Sequence, residues 1–274
     1  MNAELLLMFT LNCDRAYLYA HPERELTAEE SSRYDAALAE RARGVPAQYI
    51  TGHQEFWGMD FIVTPAVLIP RPETEHVVET AIACVGRAPS PAHAPEVRHE
   101  TSHGRLRIID VGTGSGCIAL ALARELPRAD INATDISEAA LEIARANAAR
   151  HQLESRVQFR QGDLLAGLES GSFDIIVSNP PYVGESEEDQ VQLEVRKFEP
   201  RNAVFAGPEG TEVIARLIPQ AQAALKPGGW LVMEISGTIV EKVKKLLAGW
   251  EEGQIKPDLQ SIPRVALARK RHLL

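Results

Sequence analysis

The 274-residue chain lacks an even set of cysteines, a basic excess and any long apolar run, and each lack removes a class of protein. Its three cysteines, Cys13, Cys84 and Cys117, include no C-x-x-C pair. That argues against a disulfide scaffold and a zinc site, and for a reducing, cytoplasmic compartment. Cys117 reads as a small apolar residue opening a helix and not as a nucleophile, because no base is implied beside it. No stretch approaches the length needed to span a bilayer, and no signal-peptide pattern is present, so no membrane partner is expected. The formal net charge of -9 lacks the basic footprint of proteins that grip nucleic acid, which argues against direct nucleic-acid binding. His93, His99 and His103 sit in an irregular Pro-, Ala-, Ser- and His-containing segment and read as solvated side chains, so no metal is expected. No internal repeat is found.

What is present is concentrated at two strand ends. The apolar run Phe173–Ser178 reads as a buried strand and is followed by Asn179-Pro180-Pro181-Tyr182. Open α/β sheets bind ligands at the carboxyl ends of their strands. Asn179 and Pro180 each precede a proline and are pushed into extended conformations. The prolines offer no N–H, so carbonyls dominate the local backbone. With the Asn179 side-chain oxygen they suit a planar –NH2 group, which has two protons to give, and Tyr182 adds an aromatic face. The plain alternative is a proline-rich turn.

The second strand end makes that alternative weaker. Leu106–Ile109 leads into Asp110-Val111-Gly112-Thr113-Gly114-Ser115-Gly116, and helix-forming residues follow from Cys117. Glycines at alternate positions allow a tight turn and close approach to a ligand. A further strand, Asp130–Asp135, ends in an acid about 20 residues past the loop, where nucleotide-binding folds hold a ribose diol. Ser137 then caps a helix over Glu138–Arg150. A dinucleotide fingerprint would want its third small residue at position 117, and here the glycine comes one position early at Gly116.

The rest of the chain is organised around these ends. Residues 3–43 read as helical, with a capping box at Thr27 and Glu30 and a helix end at Gly44. Residues 54–63 read as a hairpin turning near Gly58, and a helix is expected over Thr74–Val85. The remainder alternates strand and helix, which predicts a mostly parallel sheet with helices on both faces. The expected division is a helical domain with a hairpin connection over 1–72, a helix and flexible linker over 73–104, and an α/β Rossmann-like domain over 105–274.

The glycine loop, Asp135 and Asn179–Tyr182, in this order and spacing, resemble the class I S-adenosylmethionine-dependent methyltransferases that act on planar amino groups. Gln48–Gly52, Glu55–Gly58, Leu68–Glu75 and Phe198–Gly207 further resemble the release factor glutamine methyltransferases. The resemblance implies methyl transfer from S-adenosylmethionine to the side-chain nitrogen of the glutamine in the Gly-Gly-Gln motif of peptide chain release factors. It implies that Gly112, Thr113, Gly114, Ser115 and Gly116 wrap the methionine part of the cofactor and that Asp135 takes the ribose hydroxyls. Ile136, Asp163 and Leu164 would border the adenine, and Asn179, Pro180, Pro181 and Tyr182 would hold the substrate glutamine. The helical amino-terminal domain would help dock the factor. Two alternatives stand beside this reading: an amino methyltransferase of nucleic acid, which must flip its target base, and a non-catalytic binding module with the same fold.

Overall fold

The computed structural model describes residues 2–86 and 105–272, so His93, His99, His103 and most of the expected linker lie outside the described residues. The amino-terminal segment predicted to be helical is three helices, α1 (Asn2–Leu11), α2 (Arg15–Ala20) and α3 (Ala28–Ala42), and a short helix that was not predicted, α4 (Ala47–Thr51), follows. Asp14 caps α2 through the Tyr17 N–H at 2.7 Å. Thr27 and Glu30 close the expected capping box on α3, at 3.2 Å and 2.9 Å. These caps satisfy backbone groups that a helix end leaves without partners.

The hairpin forms where the pattern placed it, from β1 (His53–Phe56) and β2 (Met59–Ile62). Trp57 and Gly58 both take left-handed backbone, φ 54° and 61°, as a two-residue turn that follows strand twist requires. Period-two alternation then drives Phe56, Met59 and Phe61 into one core with α5 (Glu75–Val85) and α6 (Cys117–Glu125).

Seven strands make the central sheet: β3 (Arg107–Val111), β4 (Asp130–Asp135), β5 (Val157–Gln161), β6 (Phe173–Ser178), β9 (Leu225–Glu234), β10 (Glu251–Pro257) and β11 (Pro263–Arg269). Their order is β10-β11-β9-β6-β3-β4-β5. The pairs from β9 to β5 are parallel, and β11 runs antiparallel to both β9 and β10. The short strands β7 (Val183–Gly184) and β8 (Phe205–Gly207) form a separate pair, with α8 (Leu193–Phe198) and α9 (Arg201–Val204) between them. Strand residues divide between two cores. Ile108, Ile175, Val177 and Val232 face α5 and α6; Ile109, Ile176, Leu231 and Met233 face α10 (Glu212–Ala224) and α11 (Val240–Leu246). Continuous apolar strands are what a parallel sheet buried on both faces demands.

One buried side chain fastens the hairpin to the glycine loop. Asn147, on α7 (Glu138–Arg150), accepts from the Ile62 N–H at 2.7 Å and donates to the carbonyls of Ile62 at 3.0 Å and Ser115 at 2.9 Å. It is fully buried, so truncation strands three backbone groups away from water. Asn147→Ala should therefore cost about 2–4 kcal/mol of stability, measured by urea unfolding. A loss below about 0.5 kcal/mol would mean that other partners replace the amide.

Candidate functional site

The loop after β3 bends across the carboxyl ends of the parallel strands. The Gly112 and Thr113 N–H groups donate to the Thr134 carbonyl at 2.8 Å and 2.9 Å. Inside the bend, Asp110 accepts from the Thr113 hydroxyl at 2.6 Å and the Ala119 N–H at 3.2 Å, while its Oδ1 has no partner. Burial pushes its carboxyl up to about 7. At the far end Gly116 has φ 84°, and a Cβ there would meet the Ala144 Cβ at 3.2 Å and the Leu120 Cδ1 at 3.3 Å. Glycine is thus needed at that position both for the turn and for helix packing.

Asp135 closes the loop from the next strand. Its Oδ2 accepts from the Gly114 N–H and its Oδ1 from the Ser137 N–H, each at 2.9 Å. Burial holds the Asp135 carboxyl above its ordinary value, opposed by these backbone donors. A carboxylate oxygen accepts about two hydrogen bonds, so acceptor capacity remains on both atoms.

These elements wall a cleft of about 310 Å³. Of the residues predicted from sequence, Gly112, Thr113, Gly114, Ser115, Asp135, Ile136, Asp163, Leu164, Asn179 and Pro181 line it. Gly116 lies beneath, capping α6. Ile136 is 59% exposed, an apolar side chain free to cover a flat ligand. Leu164 takes φ 56°, and its carbonyl accepts from the Thr134 hydroxyl at 3.0 Å. Asp163 is ion-paired with Arg216, which also lines the cleft. A second cleft, of about 580 Å³, adjoins the first and shares Leu68, Asn179, Pro181 and Ala203 with it. Tyr182 lines this second cleft, whereas Pro180 is buried and lines neither.

Thr74, Glu199 and Glu234, none of them expected as site residues from the sequence, stand in or behind the cleft walls. Thr74, the residue before α5, receives the Asn179 Nδ2 donor at 3.1 Å and donates to Glu234 Oε2 at 2.6 Å. The Tyr182 hydroxyl donates to Glu234 Oε1 at 3.0 Å. Burial raises the Glu234 carboxyl, and the Thr74 and Tyr182 hydrogen bonds oppose the rise. Burial, with Glu234 beside it, also raises the Tyr182 phenol, which stays protonated. Glu199 is buried, ion-paired with Arg71, and accepts from the Ile69 N–H at 3.1 Å. That contact joins the Leu68–Glu75 and Phe198–Gly207 segments across about half the chain. Among the described residues, no cluster of three or more His, Cys, Asp or Glu could hold a metal ion, and no helix is long and apolar enough to cross a membrane.

Residues 1–52 match the PrmC N-terminal domain and residues 97–197 the Methyltransferase small domain. The chain is 56% identical to a release factor glutamine methyltransferase of Koribacter versatilis over 271 residues, 98% of this chain and 91% of that one. The chain belongs to the release factor glutamine methyltransferase family. Members from Xylella fastidiosa (41% identity, 98% of this chain and 92% of that one) and Moorella thermoacetica (40%, 99% and 91%) agree. The fold is shared with the hMettl16 catalytic domain, at TM-score 0.58 and 17% identity over 88% of this chain and 80% of that one. A methyltransferase from Pyrococcus furiosus gives 0.53 at 20% identity, over 88% and 99%.

As a family member the chain is an S-adenosylmethionine-dependent methyltransferase. The first cleft fits that cofactor: Asp135 has acceptor capacity for a diol, and Val67, Ile136 and Leu164 give apolar walls for a base. Asp135→Ala removes those acceptors and the anchor of Gly114. It should weaken S-adenosylmethionine binding by at least about tenfold in a calorimetric titration, since charge-assisted hydrogen bonds are each worth about 1.5–3 kcal/mol. Unchanged affinity would remove Asp135 from the site.

Proposed function

We propose that this chain methylates the side-chain amide nitrogen of the glutamine in the Gly-Gly-Gln motif of peptide chain release factors, with S-adenosylmethionine as donor. The observation that carries the reading is the placement of Asn179. It lies where the two clefts meet, with its NH2 group donating one hydrogen bond to Thr74 and its oxygen left to accept. A glutamine entering through the second cleft would bring its –NH2 group against that oxygen; Pro180, expected from sequence as a second acceptor, is buried and lines neither cleft. Gly112, Thr113, Gly114 and Ser115, with Gly116 ordering the turn, hold the methionine end of the donor. Asp135 holds its ribose, and Ile136, Asp163 and Leu164 border its adenine. Pro181 and Tyr182 form the wall on the substrate side.

The chemistry follows from how poor an amide nitrogen is as a nucleophile. S-adenosylmethionine supplies an electrophilic methyl carbon on a sulfonium. Accepting an amide proton at the Asn179 oxygen fixes the nitrogen in place and favours its pyramidalisation toward that carbon. In-line displacement then depends on placement and preorganised dipoles. Glu234 has a hydroxyl donor on each oxygen and Tyr182 keeps its proton, so neither is set to take a proton from substrate. The nitrogen that has taken the methyl group is first a cation bearing both its protons, which is strongly acidic and loses one of them without a dedicated base to give the neutral N-methylamide.

The helical residues ahead of the hairpin are the part of the chain offered to the body of the release factor, and residues 105–274 supply the chemistry together with Val67, Leu68 and Thr74 on the cleft walls. The net charge of -9 supports a protein partner over nucleic acid. The test is incubation with labelled S-adenosylmethionine and, separately, release factor, tRNA, ribosomal RNA and DNA. Label should enter the release factor alone and vanish when its Gly-Gly-Gln glutamine is replaced. Labelled nucleic acid, held in a complex that weakens steeply with salt, would overturn the assignment. Asn179→Ala should lower the single-turnover transfer rate by about 10²-fold or more, the range for loss of one preorganised polar contact. A rate within a few-fold of the parent would show that Asn179 does not hold the amide.

A further inference from the structure

An asparagine can present either end of its amide, and only one end serves an –NH2 substrate. In this protein the choice is made by two residues behind Asn179. Thr74 and Glu234 are 2% and 1% exposed, so both are largely shielded from solvent. Glu234, at the end of β9, has one oxygen 2.6 Å from the Thr74 hydroxyl and the other 3.0 Å from the Tyr182 hydroxyl. In its ionised form Glu234 only accepts, and a hydroxyl has a single proton to give. Thr74 therefore gives its proton to Glu234, and its oxygen can only accept from Asn179, 3.1 Å away. That leaves the NH2 group of Asn179 facing Thr74 and its carbonyl oxygen turned away from it.

We propose that Glu234 and Thr74 are positioning residues that fix the polarity of Asn179, so that its oxygen and not its NH2 group meets the substrate amide. The proposal rests on the reading of Asn179 as the acceptor for a primary amide. Reversal of the side chain would set NH2 against NH2, two donors with no acceptor between them. A chain of hydrogen bonds whose middle members, Thr74 and Glu234, are buried is suited to the task because breaking the link between them leaves an unpaired group in a low dielectric.

Thr74→Val keeps the shape of the side chain and removes the hydroxyl, and Thr74→Ser keeps the hydroxyl. Cofactor affinity, read by calorimetry, should stay within about twofold of the parent in both, since Thr74 makes no charge-assisted contact there. The single-turnover rate should fall roughly tenfold to a hundredfold in Thr74→Val and recover in Thr74→Ser. Glu234→Gln, with one acceptor oxygen for two hydroxyls, should also slow transfer. In an Asn179→Ala background, Thr74→Val should cost nothing more, because its effect passes through Asn179. A Thr74→Val enzyme at the parent rate, a Thr74→Ser enzyme as slow as Thr74→Val, or additive losses in the double variant each defeat the proposal. A readout without substrate separates this from failure of the assigned reaction. The Asn179 side-chain NH2 protons, followed by nitrogen-15 NMR, should exchange slowly with water in the parent and in Thr74→Ser, and faster in Thr74→Val. Equal exchange in all three proteins also defeats it, even if no glutamine is labelled by the parent.

Discussion

Parallel pairing of β3 between β4 and β6 sets where the polar groups of this protein collect. Its register aligns Val111 with Thr134 on one side and Ser178 on the other. All three strands therefore stop at one level, and the chain must leave each of them at the same edge. Backbone groups released there have no ladder partner, and the fold answers with side chains: Thr134 holds Leu164, Ser178 reaches the Val111 carbonyl at 2.7 Å, and Asp135 takes the Gly114 and Ser137 amides. The cleft is the space left between these strand ends and the segments laid over them.

The covering segments are held by buried polar contacts and not by apolar packing alone. Asn147 ties the hairpin to the glycine loop, and Glu199 ties Arg71 and the Ile69 backbone to the segment after Asn179–Tyr182. Such contacts are directional, so they place a neighbour to within a fraction of an ångström where methyl groups would let it slide. They are also costly to break, because each leaves a polar group stranded in the interior. This explains why the same few residues serve both stability and the shape of the site.

The two clefts meet at Asn179 and Pro181, and the division suits a transfer between two molecules. The first combines apolar walls with one carboxylate. The second carries Arg71, Glu73 and Arg264 around a rim open to a larger partner. Effective concentration does most of the work when two reactants are fixed on either side of one acceptor. Two buried carboxylates of this region are committed: Glu234 to two hydroxyls, Glu199 to Arg71 and the Ile69 N–H.

Local order was written plainly in the sequence. The Thr27–Glu30 capping box, the Gly58 turn, the Ser137 cap and the apolar strand Phe173–Ser178 depend on neighbours a few residues apart, so their patterns survive in one dimension. The glycine loop, Asp135 and Asn179–Tyr182 were legible for a related reason, since each sits at the carboxyl end of a recognisable strand. Three things were decided only in the folded chain. Asn12, at φ 49°, and the loop after Ala20 break the amino-terminal helical stretch into separate helices. The strand β11 inserts antiparallel between β9 and β10, a pairing that no local period encodes. Asn147 and Glu234 looked like any other polar residues, and Thr74 and Glu199 stood inside recognisable segments with no sign of their contacts, because their partners lie 32 to 160 positions away. Hydrogen-bond polarity is a property of who is opposite whom, and tertiary structure alone settles that.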